Sequence, residues 1–128
     1  MPLPRLLIVD DEPDHLETIS YRLSSAGYAV TVAHSGEEAL AKAAQQAPHA
    51  IFLDVVMPRM DGLETLKRLR AGGISAPVVL LTTTEQHPSA LIEFQALGIA
   101  GVLRKQGRIE AFQKMLEAVL PPGGCSSS

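Results

Sequence analysis

Two apolar runs in this chain end on acid. Leu6-Leu7-Ile8-Val9 is followed by Asp10-Asp11-Glu12, and Ala50-Ile51-Phe52-Leu53 is followed by Asp54. A carboxylate at the mouth of a greasy strand, where the backbone leaves the core for a loop, is placed where a ligand can approach. Asp54 is therefore read as a phosphoryl acceptor. Two further polar groups close similar runs, Thr82 after Pro77-Val78-Val79-Leu80-Leu81 and Lys105 after residues 100–104. If the acids meet, they cannot remain bare anions: at about 4 Å and an effective dielectric near 20, each pair repels by about 4 kcal/mol, whereas a whole domain is stable by only about 5–15 kcal/mol. Either one carboxyl holds a proton or a divalent cation sits among Asp10, Asp11 and Asp54. Oxygen donors with no histidine or thiolate nearby suit a hard ion, Mg2+ for preference, with Mn2+ able to substitute. Such a cation neutralises one phosphoryl oxygen while Lys105 takes another and the Thr82 hydroxyl donates to a third. Asp54 then acts as the nucleophile of an in-line displacement and forms an acyl phosphate.

Taken singly, each residue has a blander explanation. Asp10 and Asp11 suit the amino end of a helix, Asp54 a strand-end cap, Thr82 an ordinary β-former, and Lys105 a solvated charge. Their shared position at strand ends is what favours chemistry. Asp61 is assigned to helix capping, and Met57 and Met60 to packing. His15, His34, His49 and His87 show no metal-ligand spacing and are read as surface residues.

The elements that must bring these residues together alternate along the chain. Strands are expected at residues 6–9, 28–33, 50–54, 77–81 and 100–104, and the short run between Pro48 and Pro58 is too brief for an ordinary helix. Helices are expected at 13–26, from Pro13 to a stop at Gly27; from the capping box Ser35-Gly36-Glu37-Glu38 through Ala39, Leu40, Ala43 and Ala44; from Asp61-Gly62 through Leu63, Leu66 and Leu69 to Gly72-Gly73; at 88–97, before Gly98; and at 108–120. Glu64 and Arg68 fall at i,i+4 on the wet side of the third helix. Five strands alternating with five helices predict an α/β fold, a parallel sheet covered on both faces in three αβα layers. Parallel strands present their carboxyl ends at one edge, so Asp10, Asp11, Asp54, Thr82 and Lys105 should gather there.

The bulk composition narrows the function classes. The 128 residues make one domain at residues 1–120, with 121–128 read as a flexible tail or linker. A net charge of −3 supplies no electrostatic reason for this segment to bind nucleic acid. No apolar stretch approaches the roughly 20 residues of a membrane span, and Met1-Pro2-Leu3-Pro4-Arg5 lacks a signal-peptide layout. A cytoplasmic address without membrane contact is expected, and the single Cys125, unable to form an internal disulfide, fits a reducing compartment.

Over about residues 5–120 the pattern resembles the receiver domains of two-component response regulators. Ile8-Val9-Asp10-Asp11-Glu12 resembles that family's acidic pair, Leu53-Asp54-Val55-Val56-Met57-Pro58-Arg59-Met60-Asp61-Gly62 its phosphorylation loop, Leu81-Thr82 its switch hydroxyl, and Leu103-Arg104-Lys105 its lysine. The resemblance implies a flavodoxin-like doubly wound sheet of order 2-1-3-4-5. It also implies Mg2+ held by Asp11, Asp54 and the Val56 carbonyl, with Asp10 reaching it directly or through water. The phosphoryl donor implied is a phosphohistidine on a sensor histidine kinase or a phosphotransfer protein, and the activity is the domain's own phosphorylation and dephosphorylation, not turnover of a substrate pool. Three positions depart from the family's habit: Gln106 replaces a proline, Val102 an aromatic residue, and Thr83 an alanine or glycine. A trans Lys105-Gln106 bond, no aromatic signal and narrower access to Asp54 are the respective expectations.

The leading expectation is a switch in which phosphorylation of Asp54 shifts residues 83–97 and alters a surface for a downstream protein or a second copy. Because of the three departures, the alternative is a receiver-like docking or dimerisation module with weak or no phosphate response. A flavodoxin-like cofactor binder or small phosphatase fits less well, since no Gly-rich phosphate loop or Asp-x-Asp pair follows a strand.

Overall fold

Among the described residues, five short strands carry most of the buried apolar side chains. The computed structural model describes residues 4–55, 62–82, 88–104 and 109–119. Val56, Met57, Met60, Asp61, Thr83, His87, Lys105, Gln106 and the tail at 121–128 lie outside them, as does the His15 side chain. In chain order the elements are β1 Arg5–Val9, α1 Pro13–Ser25, β2 Ala29–Ala33, α2 Gly36–Gln45, β3 Ala50–Asp54, α3 Gly62–Ala71, β4 Val78–Thr82, α4 Pro88–Ala96, β5 Gly101–Arg104 and α5 Ile109–Val119. The sheet is wholly parallel with order β2-β1-β3-β4-β5, the α/β architecture expected.

Alternation along the strands sorts the core into two halves. Leu7, Val9, Ile51, Leu53, Val78 and Leu80 face Ala39, Ala43, Leu66, Leu69 and Phe94, so α2, α3 and α4 cover one side. Leu6, Ile8, Phe52, Val79 and Leu81 face Leu16, Ile19, Leu23, Phe112 and Leu116, so α1 and α5 cover the other. The Phe52 and Phe112 rings meet edge-on with centroids 5.7 Å apart. β3 and β4 are buried along their whole length, while β2 and β5 form the partly exposed edges.

The differences from expectation are small and have local causes. β2 begins at Ala29 because the Tyr28 N–H is spent on Leu23 O at 3.3 Å, closing the end of α1 across Gly27. β4 runs on to include Thr82. Ala44 is exposed, and α2 seats on the sheet through Ala39, Ala43 and Leu40, with Lys42 Nζ donating to Val32 O of β2 at 2.7 Å. In the capping box, Ser35 Oγ accepts the Glu38 N–H at 3.1 Å, but Glu38 Oε1 reaches back to the His34 N–H at 2.8 Å instead of Ser35's. His34 and His49 are exposed as predicted, yet His49 Nδ1 accepts the Arg5 N–H at 2.8 Å and so caps the start of β1. α3 keeps its Glu64–Arg68 pair at 2.8 Å. At β5, a Cβ on Gly101 would lie 2.7 Å from Met115 Cε, the far end of a flexible α5 side chain that can turn aside.

Candidate functional site

The carboxyl ends of β1 and β3 are neighbours in the sheet, and this adjacency builds the site. Asp10 follows β1 directly, with its N–H on Ala33 O at 3.0 Å extending the ladder to β2 by one residue. Its Oδ1 accepts the Glu12 N–H at 3.0 Å, which closes the turn into α1, whose amino end has no side-chain cap from Glu12 itself. The carboxylate thus does the local work expected of a helix-start acid and also points into the site. Asp10 is fully buried, Asp11 half-buried, and Asp54, the last residue of β3, only 2% exposed.

Asp10, Asp11 and Asp54 each offer a carboxylate oxygen within 4.8 Å of the others. All three donors are hard oxygens, two of them withdrawn from solvent. That donor set suits a hard divalent cation, whose charge would offset a repulsion of about 3.5 kcal/mol per ionised pair at an effective dielectric near 20.

Gly62 shapes the floor of the site, a role its sequence context did not disclose. Its N–H returns to Val55 O at 3.0 Å, and a Cβ there would sit 2.5 Å from Asp54 O and 2.9 Å from Val55 Cα. Only glycine allows α3 to begin against the backbone of the acid. A glycine that opens a helix is no signal by itself, since Gly36 opens α2 in the same way.

Thr82 is buried at the end of β4, one residue beyond the Asp54–Leu81 register pair. Its hydroxyl donates a long 3.4 Å bond to Leu103 O on β5. The structure therefore groups the three acids and brings Thr82 to the same sheet edge, while Lys105 and Val56 lie outside the described residues. Val102 on β5 is 40% exposed. Beside the site, the His34 N–H, and then Lys42 at 3.1 Å, hold the Glu38 carboxyl below the usual carboxylate range against the opposing effect of burial.

Comparison with known proteins agrees with this geometry. The sequence matches the family described as response regulator receiver domain over residues 6–117. Response regulator MprA of Mycobacterium avium (strain 104) is 37% identical over 116 residues, which are 91% of this chain and 50% of that protein. The chain thus spans about half the length of the curated relatives it matches. Among solved structures, the Vibrio cholerae chemotaxis protein CheY4 superposes with a TM-score of 0.85 at 38% identity, covering 91% of this chain and 98% of that one. The Francisella response regulator 1452 receiver domain gives 0.81 at 27% identity, with 91% and 95% covered. With its sheet order, its strand-end acids and a family match over nearly its whole length, the chain belongs to the receiver domains of response regulators.

Proposed function

We propose that Asp54 is the phosphoacceptor of this receiver domain and that its modification is Mg2+-dependent. The observation that carries this reading is the meeting of three carboxylates within 4.8 Å at the ends of β1 and β3, with Asp54 nearly enclosed and its backbone pressed against Gly62. Asp10, Asp11, Asp54 and the Val56 carbonyl would hold Mg2+, or Mn2+ in its place. When bound, the ion supplies positive charge at the phosphoryl oxygens and offsets the repulsion among the acids. Asp54 presents a carboxylate oxygen for in-line attack on phosphorus, forming the acyl phosphate as the donor's leaving group departs. The Thr82 hydroxyl donates to one phosphoryl oxygen and Lys105 pairs with another.

The donor in this reading is a phosphohistidine on a sensor histidine kinase or a phosphotransfer protein. The chemistry is self-modification and its reversal, not turnover of a substrate pool, and phosphorylation alters a surface read by a downstream protein or a second copy of the chain. We assign residues 1–120 to the receiver domain and 121–128 to a tail or linker. We place the protein in the cytoplasm, where such donors act; among the described residues, no helix is long and apolar enough to cross a membrane.

Incubation with Mg2+ and acetyl phosphate, followed by intact-mass measurement, tests the reading. One added phosphoryl unit is expected, absent from Asp54→Ala and absent in EDTA. An unchanged mass, or modification that persists in Asp54→Ala, would refute it and leave the docking or dimerisation module as the better account.

A further inference from the structure

The side chain of Arg70, near the end of α3, terminates among main-chain carbonyls. Its Nε donates to Leu97 O at 3.2 Å, Nη1 to Ile74 O and Ala76 O at 2.9 Å each, and Nη2 to Gly98 O at 2.8 Å. All four acceptors lie in two connections, α3 to β4 and α4 to β5. Each connection leads into the start of a strand, so both sit at the sheet edge opposite Asp54 and Thr82. A planar guanidinium with five donors in a fixed fork can hold such a set at once, and an ammonium cannot.

α4 has few buried side chains among those described, residues 92–96. Among its described side chains only Phe94 is buried, and Ile92 is 65% exposed. Phe94 lies in the last turn of the helix, so it and the Arg70 fork act on the same half. The chain passes directly from Ala96 into the clamped carbonyls of Leu97 and Gly98, and Gly98 adopts a φ of +85° at the turn into β5. The amino end of α4 lies toward the carboxyl edge of the sheet, on the side of Thr82.

We propose that Arg70 is the pivot pin of α4, tying the carboxyl end of that helix to α3 so that its displacements are swings of the amino end. The pin refers α4 to the helix whose first residue, Gly62, abuts the backbone of Asp54. The consequence for signalling rests on the phosphorylation reading above: a phosphorylation-driven shift of α4 turns about residues 97–98 instead of carrying the whole helix along. The pin itself is a property of the unmodified domain and is tested there.

The test is residue-resolved amide hydrogen exchange on the full chain without phosphodonor, comparing wild type, Arg70→Met and Arg70→Lys. The reporters are the N–H groups of Leu97, Gly98 and Ala100, which bond to Phe94 O, Gln95 O and Val78 O at 3.1, 3.0 and 2.8 Å. In Arg70→Met their exchange should quicken by about tenfold or more relative to Ile8 and Leu53 in the sheet centre, with Arg70→Lys between the two. Should Arg70→Met fail to fold, the same local excess is required of Arg70→Lys. Equal quickening at all five amides would show general destabilisation, and no change at residues 97–100 would show an idle side chain; either overturns the pin. Intact mass after Mg2+ and acetyl phosphate is recorded separately. An unmodified wild type with a local exchange effect would refute the signalling reading and leave the pin in place.

Discussion

Replacing Asp54 with asparagine should stabilise the metal-free protein, although a buried group is being changed. With carboxylate oxygens within 4.8 Å of one another, each ionised pair among Asp10, Asp11 and Asp54 repels by about 3.5 kcal/mol at an effective dielectric near 20. Asp54 belongs to two of the three pairs. The full sum is never reached, because an ordinary carboxyl takes up a proton at pH 7 for about 4 kcal/mol, and that sets the ceiling. Against this, the new amide must find partners in a site where Asp54 is 2% exposed, a cost of about 1–3 kcal/mol. The expected net gain is about 1–3 kcal/mol in EDTA at pH 7. In urea unfolding this appears as a midpoint roughly 1 M higher with an unchanged slope. Mg2+ should narrow or reverse the order: at a hundredfold excess over its Kd it adds about 2.7 kcal/mol to the wild type, and less to a variant lacking one ligand charge. A variant less stable than wild type in EDTA, or one stabilised equally by Mg2+, would refute the electrostatic reasoning.

Two further perturbations probe the surroundings of the acids. Gly62→Ala places a Cβ 2.5 Å from Asp54 O with only backbone to displace, so it should cost about 1–3 kcal/mol in urea melts and slow modification by acetyl phosphate; full stability and rate would show that the floor of the site yields freely. Glu38 has its carboxyl held below the usual 4.5 by the His34 N–H and, secondarily, by Lys42. Because the folded value lies below the unfolded one, its contribution is complete above about pH 4.5 and is lost as pH falls through the folded value. Glu38→Gln should therefore flatten that part of the acid limb in pH-dependent unfolding, and superimposable limbs would count against it.

Much of the fold was legible because its strands are short apolar runs punctuated by proline and acid. Leu6–Val9 and Ala50–Leu53 needed only their length, their greasiness and the polar residues that follow. The strand-end acids were legible for the same reason, since a parallel sheet gathers carboxyl ends whatever their separation along the chain. What could not be read depends on close approach or on long side chains. Gly62 looks like a mere helix opener until Asp54 O is seen 2.5 Å from its absent Cβ. Arg70 belongs to a charged, wet-looking stretch of α3, and its acceptors at positions 74, 76, 97 and 98 are carbonyls, which carry no sequence signature. The Glu38 shift from Ser35 to His34 likewise turns on backbone placement within one residue, finer than a capping pattern specifies.

The central claim, a cation-binding acid pocket at the ends of β1 and β3, is tested most directly by substoichiometric Mn2+ and amide NMR. Paramagnetic broadening should remove the signals of Asp10, Asp11, Asp54 and Val55 first, spare Arg70 and Gly98 at the opposite edge, and be relieved by excess Mg2+. Broadening that centres instead on surface acids such as Glu17, Glu93 or Glu110, or that survives unchanged in Asp10→Asn, would contradict it.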